Sequence, residues 1–451
     1  MGKAADRLMS RMDDASGYDL PHSEIQSLQI EALNERFQEQ KDAIKLIGLR
    51  ARDAGISEIR ELGDIVPLLL PHTAYKSYPE SFLLEGKWDK LTKWLETVST
   101  FRSDGVNLED IADVDDWIER LTAAGVFVSC SSGTTGKAAM LPASQRDMDW
   151  VCRDNVVSYA WGSGIKPERN RLIFGLAPMA HVPRNYMIGH ALRDAFGVPG
   201  KERFNYPAPP ITIGSITRMI ALRKAIAEGT ARPAEIAEFE ETSAIRQKAM
   251  DDAVGLCADA LIAARSELLY ISGMWAPLYK IAEEVRGRGY SAKDFSPGNT
   301  SYLAGGLKGA KLPENYREYI YETFNLHPEN NYQMYGMQEL GSSMPRCQKG
   351  GRYHVPPWVV CLPLDKGGDA LLPVGSNGEV EGRAAFFDLS LDGRWGGIIS
   401  GDKVEVDFAP CPCGARSPTI KDTVVRYSDL EGDDKIGCAG TVDAYVRGLT
   451  S

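Results

Sequence analysis

The spacing of apolar residues predicts helices at the start of the chain and alternating strands and helices further on. Over residues 23–52, apolar side chains recur every three or four positions among Glu, Gln and Lys, which predicts an amphipathic helix or a helix pair. A further helix is predicted at 147–159 and a short apolar strand at 171–176. Such alternation is typical of a mostly parallel sheet covered by helices.

The pattern changes in the second half of the chain. Residues 216–265 are rich in Ala, Glu, Lys and Arg and predict two surface helices, and 268–273 predict a strand that leads into a helix. Beyond Val355, alternating runs such as 378–382 and 403–407 are separated by glycine turns, which predicts antiparallel hairpins. The pattern therefore indicates an α/β fold with a separate β-rich region.

Composition limits the possible partners. The chain has 451 residues, of which 43% are hydrophobic and 25% are charged, as expected for a globular protein of two or three packed units. A net charge of −11 disfavours nucleic acid and anionic membranes as partners. We find no run long enough for a membrane span and no signal region, so we expect no membrane insertion and a cytoplasmic protein. The eight cysteines are too few for a disulfide scaffold in a chain of this length.

The apolar run 125–128 predicts a strand that ends in a loop rich in small residues, and we expect this strand and loop to open the first α/β unit of the parallel sheet. The loop reads Ser-Cys-Ser-Ser-Gly-Thr-Thr-Gly-Lys over residues 129–137, and its backbone N–H groups and hydroxyls could surround a phosphate. The Walker phosphate loop is excluded, because it requires a glycine where Ser131 stands and a Ser or Thr where Ala138 stands. From these residues alone, a turn without a ligand remains the alternative.

The Ser-Ser-Gly-Thr-Thr-Gly sequence resembles the phosphate loop of the acyl-adenylate-forming enzymes, the superfamily of acyl-CoA synthetases and adenylation domains. The resemblance implies that the loop binds the phosphates of ATP. The residues concerned are Ser131, Ser132, Gly133, Thr134, Thr135, Gly136 and Lys137.

Further matches to that superfamily follow in the same order along the chain. Residues 331–339 resemble its Tyr-Gly-x-Thr-Glu motif, which implies that Tyr335 and Gly336 lie beside adenine and that Glu339 binds Mg²⁺. This sequence departs from the motif at Gln338, where the family has threonine. The pair Gly305 and Gly306 resembles the glycines that form the floor under adenine.

The ribose and the acyl group have candidate residues as well. In Ser400-Gly401-Asp402 the aspartate matches the family residue that binds the ribose hydroxyls, and Arg426 matches the hinge arginine, although the glycine before it is missing. His181 occupies the place of a residue beside the acyl carboxylate, with a satisfied core histidine as the alternative. Residues 272–275 match the acyl-pocket wall, and Trp275 fits a core equally well.

A cysteine-rich segment resembles one branch of the superfamily, which includes phenylacetate-CoA ligase and the acyl-protein synthetase of luminous bacteria. Cys411 and Cys413 belong to the sequence Cys-Pro-Cys-Gly-Ala-Arg, and Cys347 and His354, with six residues between them, follow shortly after the Tyr-Gly motif. The resemblance implies a closed Cys₃His set, which suits structural zinc. Free buried cysteines are the alternative.

The resemblance implies the large N-terminal core of these enzymes, with helix-covered, mostly parallel sheets and a small antiparallel β region. We expect the usual mobile C-terminal domain to be lacking. The predicted parts are a helical segment at 1–115, an α/β nucleotide- and acyl-binding core at 116–345, a β-rich subdomain with the metal cluster at 346–425 and a hinge-like tail at 426–451.

The expected activity is ATP- and Mg²⁺-dependent conversion of a carboxylic acid to its adenylate with release of pyrophosphate. Catalytic roles are expected for Glu339, Lys137 and His181. The acyl group would then pass to a thiol, first to Cys438, which matches the acyl-carrying cysteine of the acyl-protein synthetases, and onward to a reductase or carrier protein. A CoA ligase and a non-catalytic nucleotide-binding scaffold are the alternatives, and a homodimer is expected only by analogy.

Overall fold

The computed structural model describes residues 2–14, 16–130, 137–304, 310–431, 436 and 445. The chain divides into two compact units. The first unit comprises Met1–Asp154 and Tyr335–Ser451, and the second unit comprises Asn155–Met334. The boundaries of these two compact units differ from those of the four ranges predicted from the sequence. The four ranges describe expected functional roles and stay predictions.

The helices of the described residues are distributed over both units. They are α1 (Lys3–Met9), α2 (His22–Gln40), α3 (Lys45–Asp53), α4 (Glu80–Leu84), α5 (Trp88–Val98), α6 (Val114–Ala123), α7 (Gln145–Ser163), α8 (Pro183–Phe196), α9 (Ile213–Ala227), α10 (Pro233–Ala263), α11 (Trp275–Gly287), α12 (Tyr316–Phe324) and α13 (Tyr427–Glu431). Short 3₁₀ helices cover Ser10–Asp13, Leu62–Leu68, Ala74–Lys76 and Ala292–Asp294. None of the described helices is long and apolar enough to cross a membrane.

The strands are β1 (Leu70–Pro71), β2 (Phe127–Cys130), β3 (Met140–Ala143), β4 (Leu172–Gly175), β5 (Phe204–Asn205), β6 (Leu269–Met274), β7 (Asn299–Ala304), β8 (Leu326–Tyr332), β9 (Met334–Tyr335), β10 (Met344–Pro345), β11 (Tyr353–His354), β12 (Val359–Cys361), β13 (Glu379–Asp388), β14 (Gly397–Asp407), β15 (Thr419–Ile420) and β16 (Val425–Arg426).

The helix pair predicted near the start of the chain is confirmed as α2 and α3. Helix α2 buries Ile25, Leu33 and Phe37, which recur at helical spacing on one face. Loss of water contact by these side chains stabilises the helix far more than its intrinsic propensity does, because isolated helices of this length are marginal.

The second unit contains the predicted parallel sheet. Its five strands lie in the order β5-β4-β6-β7-β8, and all four pairings are parallel. Helices α11 and α12 and the end of α10 cover one face with a core that includes Leu261, Leu278 and Phe324. The two helices predicted at 216–265 are α9 and α10, but only the first part of α10 is a surface helix, since its end enters this core.

The strand before the phosphate loop does not open the parallel sheet, so that prediction is wrong. Strand β2 pairs antiparallel with β3 in a separate two-stranded sheet, where Phe127 lies opposite Ala143 and Cys130 opposite Met140. The apolar segment after the loop can return directly as the neighbouring strand, and an antiparallel pair needs no crossover helix. The sequence predicted strand β2 correctly but did not predict that β2 pairs with β3.

The predicted hairpins of the C-terminal region are confirmed. Strands β13 and β14 pair antiparallel from Glu379 opposite Asp407 onward, with an irregularity between Arg383 and Ala385. They form the centre of a seven-stranded sheet in the order β11-β15-β14-β13-β12, and β1 and β16 also pair with β14. Strand β1 brings a segment from near residue 70 beside β14, with Pro71 opposite Ile399. No pattern in the sequence indicated that pairing.

Candidate active site

Two of the predicted nucleotide residues contact each other in the first unit. The Tyr335 hydroxyl donates a 2.8 Å hydrogen bond to Oδ2 of Asp402. The N–H of Asp402 in turn donates to the Ser400 hydroxyl at 3.1 Å, which fixes the aspartate within β14. The structure therefore brings together two motifs that lie far apart in the sequence.

The third predicted residue of this group lies opposite the second. Strands β14 and β16 place Arg426 directly across from Asp402, and the arginine Nε lies 3.7 Å from Oδ1. The Arg426 side chain is 72% exposed, whereas that of Asp402 is 14% exposed. This edge of the sheet thus offers a fixed carboxylate and an accessible guanidinium, a pair suited to the hydroxyls of a sugar.

The environment of Tyr335 keeps its phenol protonated. Burial and the neighbouring Asp402 charge raise the pKa of Tyr335 well above its usual value. Its ring packs against Tyr353 and Phe386, with centroid distances of 6.0 and 5.9 Å. The tyrosine is therefore a rigid hydrogen-bond donor with an aromatic face, as stacking beside a base requires.

The turn that bears Glu339 is held by an arginine that the sequence analysis missed. Arg394 is 2% exposed and donates hydrogen bonds to the carbonyls of Pro142, Gln338 and Glu339 at 2.8, 3.2 and 3.1 Å. Asp388 accepts from the Gly341 N–H at 2.9 Å in the residues that follow. No motif marks Arg394 or Asp388, because their roles depend on chain segments that meet only in the fold.

Lys76 is a second residue that the sequence did not indicate. It ends the 3₁₀ helix after β1, is half-buried, and lies close enough to the Glu339 carboxylate for a direct electrostatic effect. Burial lowers the pKa of Lys76, and the Glu339 charge opposes that shift. The lysine adds positive charge beside the predicted magnesium ligand.

Lys137, the last residue of the phosphate-loop sequence, is half-buried against Tyr78. Its ammonium group donates to the Tyr78 carbonyl and lies 4.4 Å from the centroid of the Tyr78 ring. The other loop residues and the remaining candidates lie outside the described residues. They are Ser131, Ser132, Gly133, Thr134, Thr135, Gly136, Gly305, Gly306 and Cys438.

His181 belongs to a cavity of the second unit. The histidine is exposed, so it is not a satisfied core residue. Its backbone N–H donates to the Ile211 carbonyl at 2.8 Å. The cavity has a volume of about 330 Å³ and lies beside the C-terminal ends of β4 and β5. That edge of a parallel sheet is where α/β folds generally bind ligands.

The residues predicted to form the acyl-pocket wall make structural contacts within the second unit. Trp275 is 4% exposed and lies in the core of the second unit, with its ring 5.4 Å from that of Tyr316. The Ser272 hydroxyl donates to the Phe174 carbonyl at 3.0 Å, across neighbouring strands. Trp275 therefore has the structural role that the sequence left open as an alternative.

The four predicted metal ligands come together in the first unit. The ligand atoms of Cys347, His354, Cys411 and Cys413 all lie within 4.8 Å of one another. Cys347 Sγ and Cys411 Sγ are 3.6 Å apart, and Cys413 Sγ lies 3.5 Å from Nε2 of His354. Gly350 makes room for the cluster, since a Cβ there would lie 2.4 Å from Cys411 Sγ.

The donor chemistry of this cluster suits a metal. Nδ1 of His354 lies 2.8 Å from the Ser417 hydroxyl, which orients the ring so that Nε2 faces the thiols. Burial alone would raise the pKa of Cys347, but hydrogen bonds from His354 and from the Arg352 backbone lower it to about 6. Three thiols and one imidazole form a complete tetrahedral donor set without a water position.

The fold is that of the adenylate-forming enzymes. The chain is similar to 2-hydroxyisobutyryl-CoA ligase in an open conformation in complex with 2-HIB-AMP and CoA, with a TM-score of 0.56 and 13% identity over 91% of this chain and 76% of that one. The postadenylation state of the same ligase, in complex with 2-HIB-AMP, gives a TM-score of 0.52 and 12% identity over 91% of this chain and 69% of that one. No family model and no curated sequence matches the chain.

Proposed function

We propose that this chain uses ATP to convert a carboxylic acid into its acyl adenylate and then passes the acyl group to a thiol. The hydrogen bond between Tyr335 and Asp402 carries the proposal, because it joins the predicted adenine and ribose residues at one place. The fold supports it, since the ligase with that fold was crystallised with an acyl adenylate and CoA.

In the first step, a carboxylate oxygen of the acid attacks the α-phosphorus of ATP, and the bond to pyrophosphate breaks. Asp402 and Arg426 would bind the ribose, and Tyr335 and Gly336 would lie beside adenine above Gly305 and Gly306. The loop of residues 131–136 and Lys137 would bind the phosphates. Catalysis of this kind consists mainly of positioning and charge stabilisation.

Magnesium has a fitting ligand in this arrangement. Glu339 supplies carboxylate oxygen, which Mg²⁺ prefers, and Arg394 fixes the backbone on which it stands. When bound, Mg²⁺ supplies positive charge against the leaving pyrophosphate. His181 would lie beside the reacting carboxylate.

In the second step, a thiolate attacks the acyl carbonyl and AMP leaves with the bonding electrons. Cys438 is our first candidate for this thiol, with a reductase or carrier protein as the next acceptor. CoA is the second candidate acceptor, favoured because the structurally similar ligase was crystallised with CoA.

We assign zinc to the Cys₃His cluster as a structural ion held by Cys347, His354, Cys411 and Cys413. Thiolates at a Zn–S distance of about 2.3 Å in a tetrahedron lie about 3.8 Å apart. The 3.6 Å between Cys347 Sγ and Cys411 Sγ is close to that spacing. The set is closed, which fits a structural and not a catalytic role.

The first test is carboxylate-dependent exchange of labelled pyrophosphate into ATP over a panel of acids. We expect exchange with at least one acid, and a loss of about 100-fold or more in Glu339→Gln, because the magnesium ligand loses its charge. Glu241→Gln, at an exposed position of α10, is the matched control and should retain the wild-type rate. Nucleotide binding without exchange for any acid would contradict the proposal and favour a non-catalytic scaffold.

Intact mass after reaction separates the acceptors. An acyl adduct that disappears in Cys438→Ala, with pyrophosphate exchange retained, would support self-acylation. Undiminished CoA thioester formation by that variant would instead support the CoA ligase.

A further inference from the structure

The cavity of the second unit has an arginine at its inner end. The Arg203 guanidinium lies between Gly175, at the end of β4, and Gly189, in α8. A Cβ built on Gly175 would lie 2.4 Å from Nη2, and one on Gly189 would lie 2.5 Å from Nη1. Both glycines are buried, so the absence of side chains at these two positions leaves room for the guanidinium.

No acidic side chain compensates this charge in the part of the chain that the structure describes. The Nε of Arg203 is buried and has no hydrogen-bond partner among the described residues. Glu202 points to a different partner, Arg193, at 3.4 Å. Burial lowers the pKa of Arg203, and the nearby phenol of Tyr270 opposes that shift.

An arginine with these surroundings lacks a counter-ion. The guanidinium stays protonated at physiological pH, and a half-buried charge without a partner is unfavourable. A bound anion would remove that cost. A carboxylate fits best, because its two oxygens match the planar fork of the guanidinium.

The cavity also indicates which end of a ligand reaches Arg203. His181, Tyr186 and His190 are exposed and form the outer part of the lining, whereas Gly175 and Gly189 beside Arg203 are buried. The remaining wall is mixed. Its polar members include Asn185, Arg193, Glu202 and Asn205, and its apolar members are Ala177, Pro178, Met179, Ala208, Pro209 and Pro210.

The proposed function puts the reacting carboxylate beside His181, which belongs to the outer part of the cavity. The group that pairs with Arg203 is the opposite end of the acid. A short hydrocarbon chain between the two ends would contact the apolar half of the wall.

We propose that the substrate is a short dicarboxylic acid whose non-reacting carboxylate enters this cavity first and pairs with Arg203. This inference rests on the proposed function, which it extends by naming the class of acid. Arg203 is then the residue that determines specificity for a second carboxylate.

The test compares acids of equal chain length that differ only in the second carboxylate, glutarate against pentanoate and adipate against hexanoate. Pyrophosphate exchange gives KM and kcat for each acid, and calorimetry measures glutarate binding directly. In Arg203→Met we expect the KM for the better dicarboxylate to rise about 100-fold, while the KM for its monocarboxylate changes less than about threefold. Arg223→Met, an exposed arginine of α9, is the control and should leave both values unchanged.

Two gentler variants cover the case in which Arg203→Met does not fold. Arg203→Lys keeps the charge and loses the fork, and Gly189→Ala keeps the arginine but displaces it from its gap. Each should reduce the preference for the dicarboxylate. An unchanged ratio of dicarboxylate to monocarboxylate KM in these folded variants would overturn the inference.

Failure of the two proposals can be distinguished. Wild-type exchange with monocarboxylates only would overturn the dicarboxylate inference and leave the adenylation proposal standing. Glutarate binding that is lost in Arg203→Met, together with no exchange for any acid, would support the site and contradict the adenylation proposal.

Discussion

The two candidate sites, one in each unit, hold their arginine side chains differently. In the first unit, Tyr335 donates to Asp402 and Arg394 donates to three carbonyls, so the candidate nucleotide residues are fixed by bonds within the protein. In the second unit, the Arg203 guanidinium donates to no acceptor among the described residues, whereas Arg394 leaves only its Nε without a described partner. Side chains that are hydrogen-bonded within the protein hold fixed positions, which suits a ligand that is the same in every reaction, such as a nucleotide. A guanidinium without a counter-ion makes the affinity for a substrate depend on whether that substrate carries an anionic group.

Among substitutions in the first unit, those in the metal cluster should have the largest effect on stability. Cys411→Ser removes one of three thiolates, so we expect loss of bound zinc and a decrease of more than about 4 kcal/mol in the free energy of unfolding. Elemental analysis measures the zinc, and denaturant unfolding measures the stability. The ATP KM should rise as well, because Tyr353, adjacent to the ligand His354, packs against Tyr335.

Cys361→Ser is the matched control for the cluster. Cys361 is also a buried thiol in the first unit, and burial raises its pKa to about 12, but it is not one of the four clustered ligands. The Cys361→Ser variant should keep the zinc bound at the cluster and lose less stability than Cys411→Ser. If the wild-type chain prepared with zinc binds none, and both variants lose equal stability, the cluster is not a metal site.

Arg394→Met should have the next largest effect. It would leave buried carbonyls without donors and the buried Asp147 without its positive neighbour, which costs about 3 kcal/mol of stability. Pyrophosphate exchange should also fall about 100-fold, because the backbone of Glu339 is no longer fixed.

Arg36→Met separates positioning from stability. Arg36 is also a fully buried arginine of the first unit, and it donates to the Leu391 carbonyl instead of the Glu339 turn. We expect a similar loss of stability with exchange retained at a temperature where both variants are folded. Equal losses of exchange in the two variants would show that Arg394 acts only through stability.

Much of the fold could be predicted from periodicity. The helix pair at 23–52, the parallel strands and the hairpin of β13 and β14 depend on local patterns, and the structure confirms them. The partner of β2 could not be predicted, because an apolar strand carries no record of which neighbour it pairs with. Pairings of that kind are decided by the packing of the whole chain.

The candidate site divides in the same way. Motif sequences located Tyr335, Asp402 and the four clustered ligands, since their residue types are unusual at those spacings. Arg394 and Arg203 carry no motif. Each acquires its role from carbonyls or glycines that are far away in sequence, and only the fold shows that these meet.

The smallest effect is expected from single hydroxyls, and it separates a hydrogen-bonded tyrosine from an unpartnered one. The Tyr335 hydroxyl donates to a carboxylate, whereas the buried Tyr270 hydroxyl has no partner among the described residues. At pH 7, Tyr335→Phe should cost about 1.5 kcal/mol of stability and raise the ATP KM, while Tyr270→Phe should cost close to nothing. Equal costs for the two variants would remove the distinction between satisfied and unsatisfied groups.

High pH provides the internal check, because burial raises the pKa of both tyrosines well above the usual value near 10. Above pH 10 the folded chain keeps protons that the unfolded chain loses, so stability falls as pH rises, by about 1.4 kcal/mol per pH unit for each such tyrosine. Each variant removes one of these groups and should make the decline shallower by that amount. The two variants should therefore agree in their alkaline slope and differ at pH 7, which isolates the hydrogen bond to Asp402 from the burial that both tyrosines share.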